Sequence, residues 1–288
     1  MANITAAMVK ELRERTGSGM MECKKALTET NGDIDAAIDL MRKNGQASAD
    51  KKAGRAAAEG VLLVRTAGSF GVIVEVNCET DFVTKNEDFI KFADDVANLA
   101  LNEKITTADA LNAAKLGDST VDEVRRGLVA KIGENISVRR VAAIDGNGMI
   151  GAYVHGVRIA AIVDVSTDNE ELAKDLAMHI AAASPICVDA DAVPAELLER
   201  ERAIYVAQAQ ESGRPENIQE KMIEGRMRKY LEEITLVGQA FVKDPDMTIE
   251  KLLKNNNATV SSFIRFGLGE GVEIEETDFA AEVMEQLK

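Results

Sequence analysis

The chain has 288 residues, enough for two or three domains and a sizeable core, and its 34 basic against 49 acidic side chains leave a net charge of −15. That balance repels phosphate backbones and argues against a general nucleic-acid binder, while no apolar run nears the ~20 residues that would span a bilayer. Cys23, Cys78 and Cys187 are isolated, odd in number and without metal spacing. With no apolar leader at the start, the expectation is a reducing cytoplasm and three small buried thiols.

Residues 4 to 43 read as three short helices. Thr5 caps the first, in which Met8, Val9 and Leu12 form the apolar stripe. Thr16-Gly17-Ser18-Gly19 forces a turn, a second helix runs Met20 to Leu27, and Asn31-Gly32-Asp33 caps a third with Ile34, Ala37, Ile38 and Met41 on one face. So small a core predicts a docking module over 1–44. Met20-Met21, beside the Gly-rich turn, is either core filling or an adaptable contact surface. From Asn44 to Glu59 the chain is rich in Ala, Gly and Lys, which predicts a linker over 45–59, partly helical; Lys51, Lys52 and Arg55 leave an anion-binding patch as the alternative.

Val72 to Val76 is an apolar, β-branched run and predicts a strand. After Asn86, Phe89, Phe92, Ala93, Val96 and Leu99 recur at helical spacing. Thr80-Asp81-Phe82-Val83 thus lies in a strand-to-helix connection, where function often resides. Phe82 is either a lid folded back on its own core or a probe for a partner's pocket. A second copy helps to choose: Ala161 to Val165 matches Val72 to Val76, and Leu176 to Ala181 matches Phe92 to Ala97, with five fewer residues between strand and helix. The extra residues of the first copy fall at Thr80 to Val83, which shifts weight from scaffold to site.

Between the copies, Ala108 to Ile136 reads as helix-rich, and Glu134 to Val141 leads into another strand. Gly146-Asn147-Gly148-Met149-Ile150-Gly151 has the literal spacing of a dinucleotide fingerprint, but β-like sequence follows where that motif needs a helix, so a hairpin turn is expected. His155 falls at a hairpin tip and is the better candidate for contacts; His179 continues the apolar face of a helix and reads as a core or rim residue. Neither has a neighbour at metal spacing, and no Ser or Cys sits in a nucleophile motif, so no catalytic, cofactor or metal site is expected.

Pro185 closes the second copy. Pro194 starts a charged helix, Glu211 to Pro215 turns the chain, and another helix runs from Glu216 to about Leu231: a hairpin arm inserted over 186–227, able to pair with another protein or a second copy. Leu236 to Val242 and Phe263 to Gly267 read as returning β segments around a helix from Met247 to Leu253. Thr277-Asp278-Phe279 repeats the tripeptide, but there it reads as a cap on a final helix.

Four stretches carry a resemblance: Leu12 to Leu27, Val76-Asn77-Cys78-Glu79-Thr80-Asp81-Phe82-Val83, Lys131-Ile132-Gly133-Glu134-Asn135-Ile136 and Phe263-Ile264-Arg265-Phe266. Together, and in this order, the chain resembles the elongation factor Ts family, bacterial guanine-nucleotide exchange factors for elongation factor Tu. The resemblance implies an α+β fold: a ubiquitin-associated-like three-helix domain, a duplicated α/β core with antiparallel sheets (60–140, then 141–185 with 228–268), a coiled-coil hairpin arm, and a C-terminal helical module over 269–288. It further implies that Thr80, Asp81, Phe82 and Val83 disturb Mg2+ in the partner GTPase, that Met20, Met21 and the final helix touch its G domain, that Arg13 is a further partner contact, and that His155 meets its third domain. Ala240 stands where relatives often carry proline. The rival readings are a cofactor-dependent oxidoreductase built on Gly146 to Gly151, and a plain adaptor using the first forty residues and the arm.

Overall fold

The computed structural model describes residues 4–273. In chain order its helices and strands are α1 (Ala6–Thr16), α2 (Met20–Glu29), α3 (Ile34–Lys52), β1 (Glu59–Ala67), β2 (Phe70–Cys78), α4 (Glu87–Asn102), α5 (Ala108–Ala113), β3 (Lys115–Leu116), β4 (Ser119–Thr120), α6 (Val121–Ile132) and β5 (Ile136–Asp145). There follow β6 (Met149–His155), β7 (Ile159–Val165), α7 (Glu170–Ala183), α8 (Ala195–Glu211), α9 (Glu216–Ile234), β8 (Ala240–Phe241), β9 (Asp244–Thr248), α10 (Ile249–Asn255) and β10 (Val260–Gly267). This is a mixed α+β fold of N-terminal helices, small sheets and interleaved helices. The described chain divides into two compact units, one of residues 4–61, 74–141 and 268–273, the other of residues 62–73 and 142–267. Thr277-Asp278-Phe279 and the C-terminal helix expected there lie outside the described residues.

In the first unit, Thr5 Oγ1 accepts from the Met8 amide and caps α1, which ends at Gly17 in the left-handed region (φ +66°). Asn31 and Gly32, both at positive φ, carry the chain to Asp33, whose carboxylate caps α3 at the Ala36 amide, 3.0 Å away. Val9, Leu12, Cys23, Ala26, Leu27 and Ala37 close over one another as the core of these helices. The third helix does not stop near Met41 but runs to Lys52, through half of the span expected to be a linker. Its small residues are a packing face: Gly45 and Ala49 are buried, a Cβ on Gly45 would lie 3.2 Å from that of Ala130 on α6, and Asp50 pairs with Arg126 of α6 at 3.0 Å. Composition alone does not distinguish such a face from a flexible stretch.

Every residue of β2 is buried, including Glu75 and Asn77. The α4 helix buries Phe89, Phe92, Ala93 and Val96 of the stripe read from spacing, while Leu99 is half-buried. Glu75 is satisfied within the first unit by Arg139 Nη1 (3.1 Å), Arg140 Nε and the Gly269 amide (2.9 Å), as a buried carboxylate requires.

The strand order of one sheet is β1-β2-β5 and that of the other β10-β7-β6. In both, the second strand of a hairpin is central, a helix follows it, and a later strand returns to its free edge. In the second sheet β7 runs antiparallel to β6 and β10, with Gly151 opposite Val163 and Phe263 opposite Val163 on the other side. Leu172, Leu176, Ile180, Leu236, Phe241 and Ile249 pack with β7 as the core of the second unit. The segment Gly146 to Gly148 is not a hairpin turn, because β5 and β6 do not pair: β5 lies beside β2, and β6 beside β7.

The inserted arm is α8 and α9, and its second helix continues to Ile234, past the expected boundary at 227. No helix breaker intervenes before Thr235 leaves in extended conformation. Its base is sewn together by backbone bonds: Ile186 N to Ile234 O (2.8 Å), Leu236 N to Cys187 O (2.9 Å) and Val237 N to Val188 O (3.0 Å). Of the returning β segment expected over Leu236 to Val242 only Ala240–Phe241 is strand, and the helix expected from Met247 begins at Ile249, capped by Thr248.

Candidate functional site

Two residues after β2 ends, the chain makes a tight turn that is held from behind by several hydrogen bonds. Thr80 donates twice to one carboxylate, its Oγ1 to Glu134 Oε1 at 2.6 Å and its amide to Glu134 Oε2 at 2.9 Å. Glu79 Oε1 accepts from the Asn135 amide at 2.6 Å, and Arg55 lies 3.4 Å from the same oxygen. The Cys78 thiol donates to Thr80 O at 3.2 Å and Thr84 Oγ1 to Asp81 O at 2.6 Å. A single 3-10 turn, Val83–Lys85, leads to Asn86, whose side chain caps α4 at the amides of Asp88 and Phe89.

This framework decides which side chains face in. Val83 is buried, whereas Asp81 is exposed and Phe82 is 77% exposed on a helical backbone (φ −66°, ψ −38°). Leaving a phenylalanine in water forgoes roughly 1.5–3 kcal/mol of burial. The lid alternative is therefore ruled out. A rigid turn that holds an aromatic outward has the form of a contact point.

Met20 and Met21 open α2 and are 58% and 75% exposed, outside the helical core, so they do not fill it. Arg13 is exposed in the last turn of α1. Lys131 connects this region to the loop side of the unit: its Nζ lies 2.7 Å from Asp88 in the first turn of α4, and a Cβ on Gly17 would meet the same Nζ at 3.0 Å. In the second unit His155 ends β6 at an exposed hairpin tip, its Nδ1 3.3 Å from the Tyr153 hydroxyl, with exposed Val157 just beyond. His179 is fully buried, as expected for a core residue.

Sequence reading missed Glu134 and Asn135 as supports of the loop. The local pattern carries no signal for them, because each reaches a partner more than fifty positions away. Their stretch stood out only through the resemblance.

The glycine-rich segment holds an anion of its own. Asp164, almost wholly buried on β7, accepts from the Gly148 amide at 2.9 Å and the Asn147 amide at 3.4 Å, and a Cβ on Gly146 would strike its carboxylate at 2.4 Å. Backbone amides that could have cradled a pyrophosphate are taken by this side chain. The thiol beneath the loop is inert too: burial first, then the Glu134 carboxylate, pushes the pKa of Cys78 up to about 12. Among the described residues no group of three His, Cys, Asp or Glu side chains could hold a metal ion, and no helix is long and apolar enough to cross a membrane.

An outward-facing apolar tip on a braced turn is the form of a surface that meets another protein. The family described as Elongation factor TS matches residues 79–270. Relatives named Elongation factor Ts include those of Methylococcus capsulatus, 58% identical over 290 aligned residues covering 99% of both chains, and of Hydrogenovibrio crunogenus, 56% identical over 97% of this chain and 96% of the relative. That of Yersinia pestis is 56% identical over 100% of this chain and 99% of its own. The chain belongs to the elongation factor Ts family. It is accordingly a nucleotide-exchange factor for elongation factor Tu, and not an enzyme.

Proposed function

We propose that Thr80, Asp81, Phe82 and Val83 are the exchange element, and that they act by displacing Mg2+ from the nucleotide site of elongation factor Tu. Phe82 is the wedge, supplying apolar bulk between partner helices; Asp81 stands beside it; Thr80 and Val83 hold the turn's two ends. The metal contributes much of the positive charge that retains a nucleoside diphosphate, so moving it loosens the phosphates. Such a factor accelerates release only as far as it favours the nucleotide-free or metal-free partner over the loaded one. Equal affinity for both states would shift nothing. The observation that carries this reading is Phe82 held 77% exposed by a turn whose backbone is fixed from behind.

Met20 and Met21 are assigned to docking on the G domain, Arg13 to a further partner contact, and His155, separately, to the partner's third domain. The helical unit is read as a ubiquitin-associated-like docking domain that reaches past residue 44 to the end of α3. The two sheets are read as copies of one ancestral unit, supported by their like succession of hairpin, helix and returning strand. The α8 and α9 hairpin is read as a coiled-coil arm.

The deciding experiment is stopped-flow release of labelled GDP from elongation factor Tu at saturating exchange factor. Phe82→Ala is expected to slow the maximal rate by about tenfold or more, the equivalent of roughly 1.4 kcal/mol of barrier, while complex formation survives. Unchanged release would sink the wedge.

A further inference from the structure

We propose that Glu134 is the positioning residue of the exchange loop, the group that holds Phe82 in its working posture; this rests on the reading of Phe82 as the wedge. Thr80 presents two donors side by side, an amide and a hydroxyl, and Glu134 meets both, one with each carboxylate oxygen. An amide side chain at 134 offers one acceptor and would turn an N–H toward one of those donors. Charge-assisted pairs of this kind are the strong ones.

The carboxylate is aimed by the end of α6. Gly133, at φ +92°, closes that helix in a left-handed cap, its amide returning to Val129 O at 2.9 Å. The chain therefore reverses just before Glu134. Asn135 then fixes the reversal from both sides: its amide donates to Glu79, and its side chain donates to Arg55 O at 2.8 Å and to Ala53 O at 3.4 Å. The wedge is thus gripped two residues before its ring, while Val83 anchors the far side by burial. Between these fixed points only Asp81 and Phe82 face outward.

Glu134 touches no partner in this scheme. Its loss would leave Phe82 present but free to sample other orientations, so that fewer encounters find the productive one.

The test measures labelled GDP release from elongation factor Tu against concentration of full-length Glu134→Gln, in the native background and with Phe82→Ala. The expected result is a maximal rate about tenfold lower, a half-saturating concentration changed less than about twofold, and no further loss when Phe82 is already alanine. A loss of equal size in both backgrounds, a loss confined to half-saturation, or no loss would overturn the proposal. Thr80→Val and Thr80→Ser form a second arm that spares Glu134, for use should Glu134→Gln fail to fold. The valine variant, without its hydroxyl, is expected to slow release more than the serine variant; equal rates would count against the clamp. If Phe82→Ala alone leaves release unchanged, both the wedge and its positioning fall. If Phe82→Ala slows release and Glu134→Gln does not, only the positioning falls.

Discussion

His179 is held as a neutral ring. Its Nε2 lies 3.0 Å from Gln239 Oε1, and its Nδ1 accepts from the Val242 amide at 3.3 Å, so a second ring proton would meet a donor. Burial pushes its pKa below the usual 6.5 despite the Gln239 contact. The unfolded chain, with a value of about 6.5, then binds a proton the folded chain refuses. The resulting stability is complete above about pH 6.5 and drains away as pH falls toward the depressed folded value. His179→Asn is expected to lower the melting temperature at neutral pH, yet to lose less than the native chain between about pH 7 and 5.5. Parallel pH profiles for the two proteins would refute this. Glu75 is another buried titratable group with a structural task. Removing it by Glu75→Ala takes away the buried carboxylate that Arg139, Arg140 and the Gly269 amide share, which predicts a loss of about 3–5 kcal/mol in urea unfolding.

At the scale of elements, the way α7 lies on β6 depends on a missing side chain. A Cβ on Gly151 would sit 2.1 Å from Ala173 O on α7, backbone against backbone. Gly151→Ala is expected to destabilise the second unit by at least about 1–3 kcal/mol, measured by chemical denaturation, because the helix must lift. Gly151 was singled out from the sequence as the last glycine of a false cofactor motif; its real task is this close approach. The arm is a contrasting case. Neither α8 nor α9 contributes to the core cluster of the second unit, and the chain enters and leaves through three backbone bonds at its base. Replacing residues 195–230 by a short Gly/Ser linker should therefore leave cooperative unfolding in place, with a midpoint near that of the full chain. We infer that the arm also pairs two copies of the chain; a sedimentation coefficient insensitive to concentration before and after its removal would dismiss that role.

For the whole molecule, what the sequence made legible was whatever repeats at short range. Helical stripes such as Phe89, Phe92, Ala93 and Val96, the caps Thr5 and Asp33, and the apolar run of β2 are local patterns with local causes. The outward posture of Phe82 was open between two readings, because exposure depends on Glu134 and Asn135, remote in the chain. The linker became a helix for the same reason: Gly45 and Ala49 take their meaning from Ala130. Gly146 to Gly148 likewise waits on Asp164. The N-terminal helices can be tested at this scale by truncation. Removing residues 1–43 cuts α3 but keeps the half that lies on α6, and Lys131 keeps its bond to Asp88. The truncated chain is expected to retain exchange at saturating concentration while needing more protein to reach it; complete loss at saturation would mean that the helices do more than dock.

The clamp also sets an order in time. Thr80 leaves the ribosome fifty-four residues ahead of Glu134, a lag of roughly 3 to 10 seconds at ordinary rates of synthesis. A nascent or prematurely terminated chain ending short of that carboxylate carries the aromatic residue without its fixed orientation. Until residue 134 has been added, both acceptor oxygens of the clamp on Thr80 are missing.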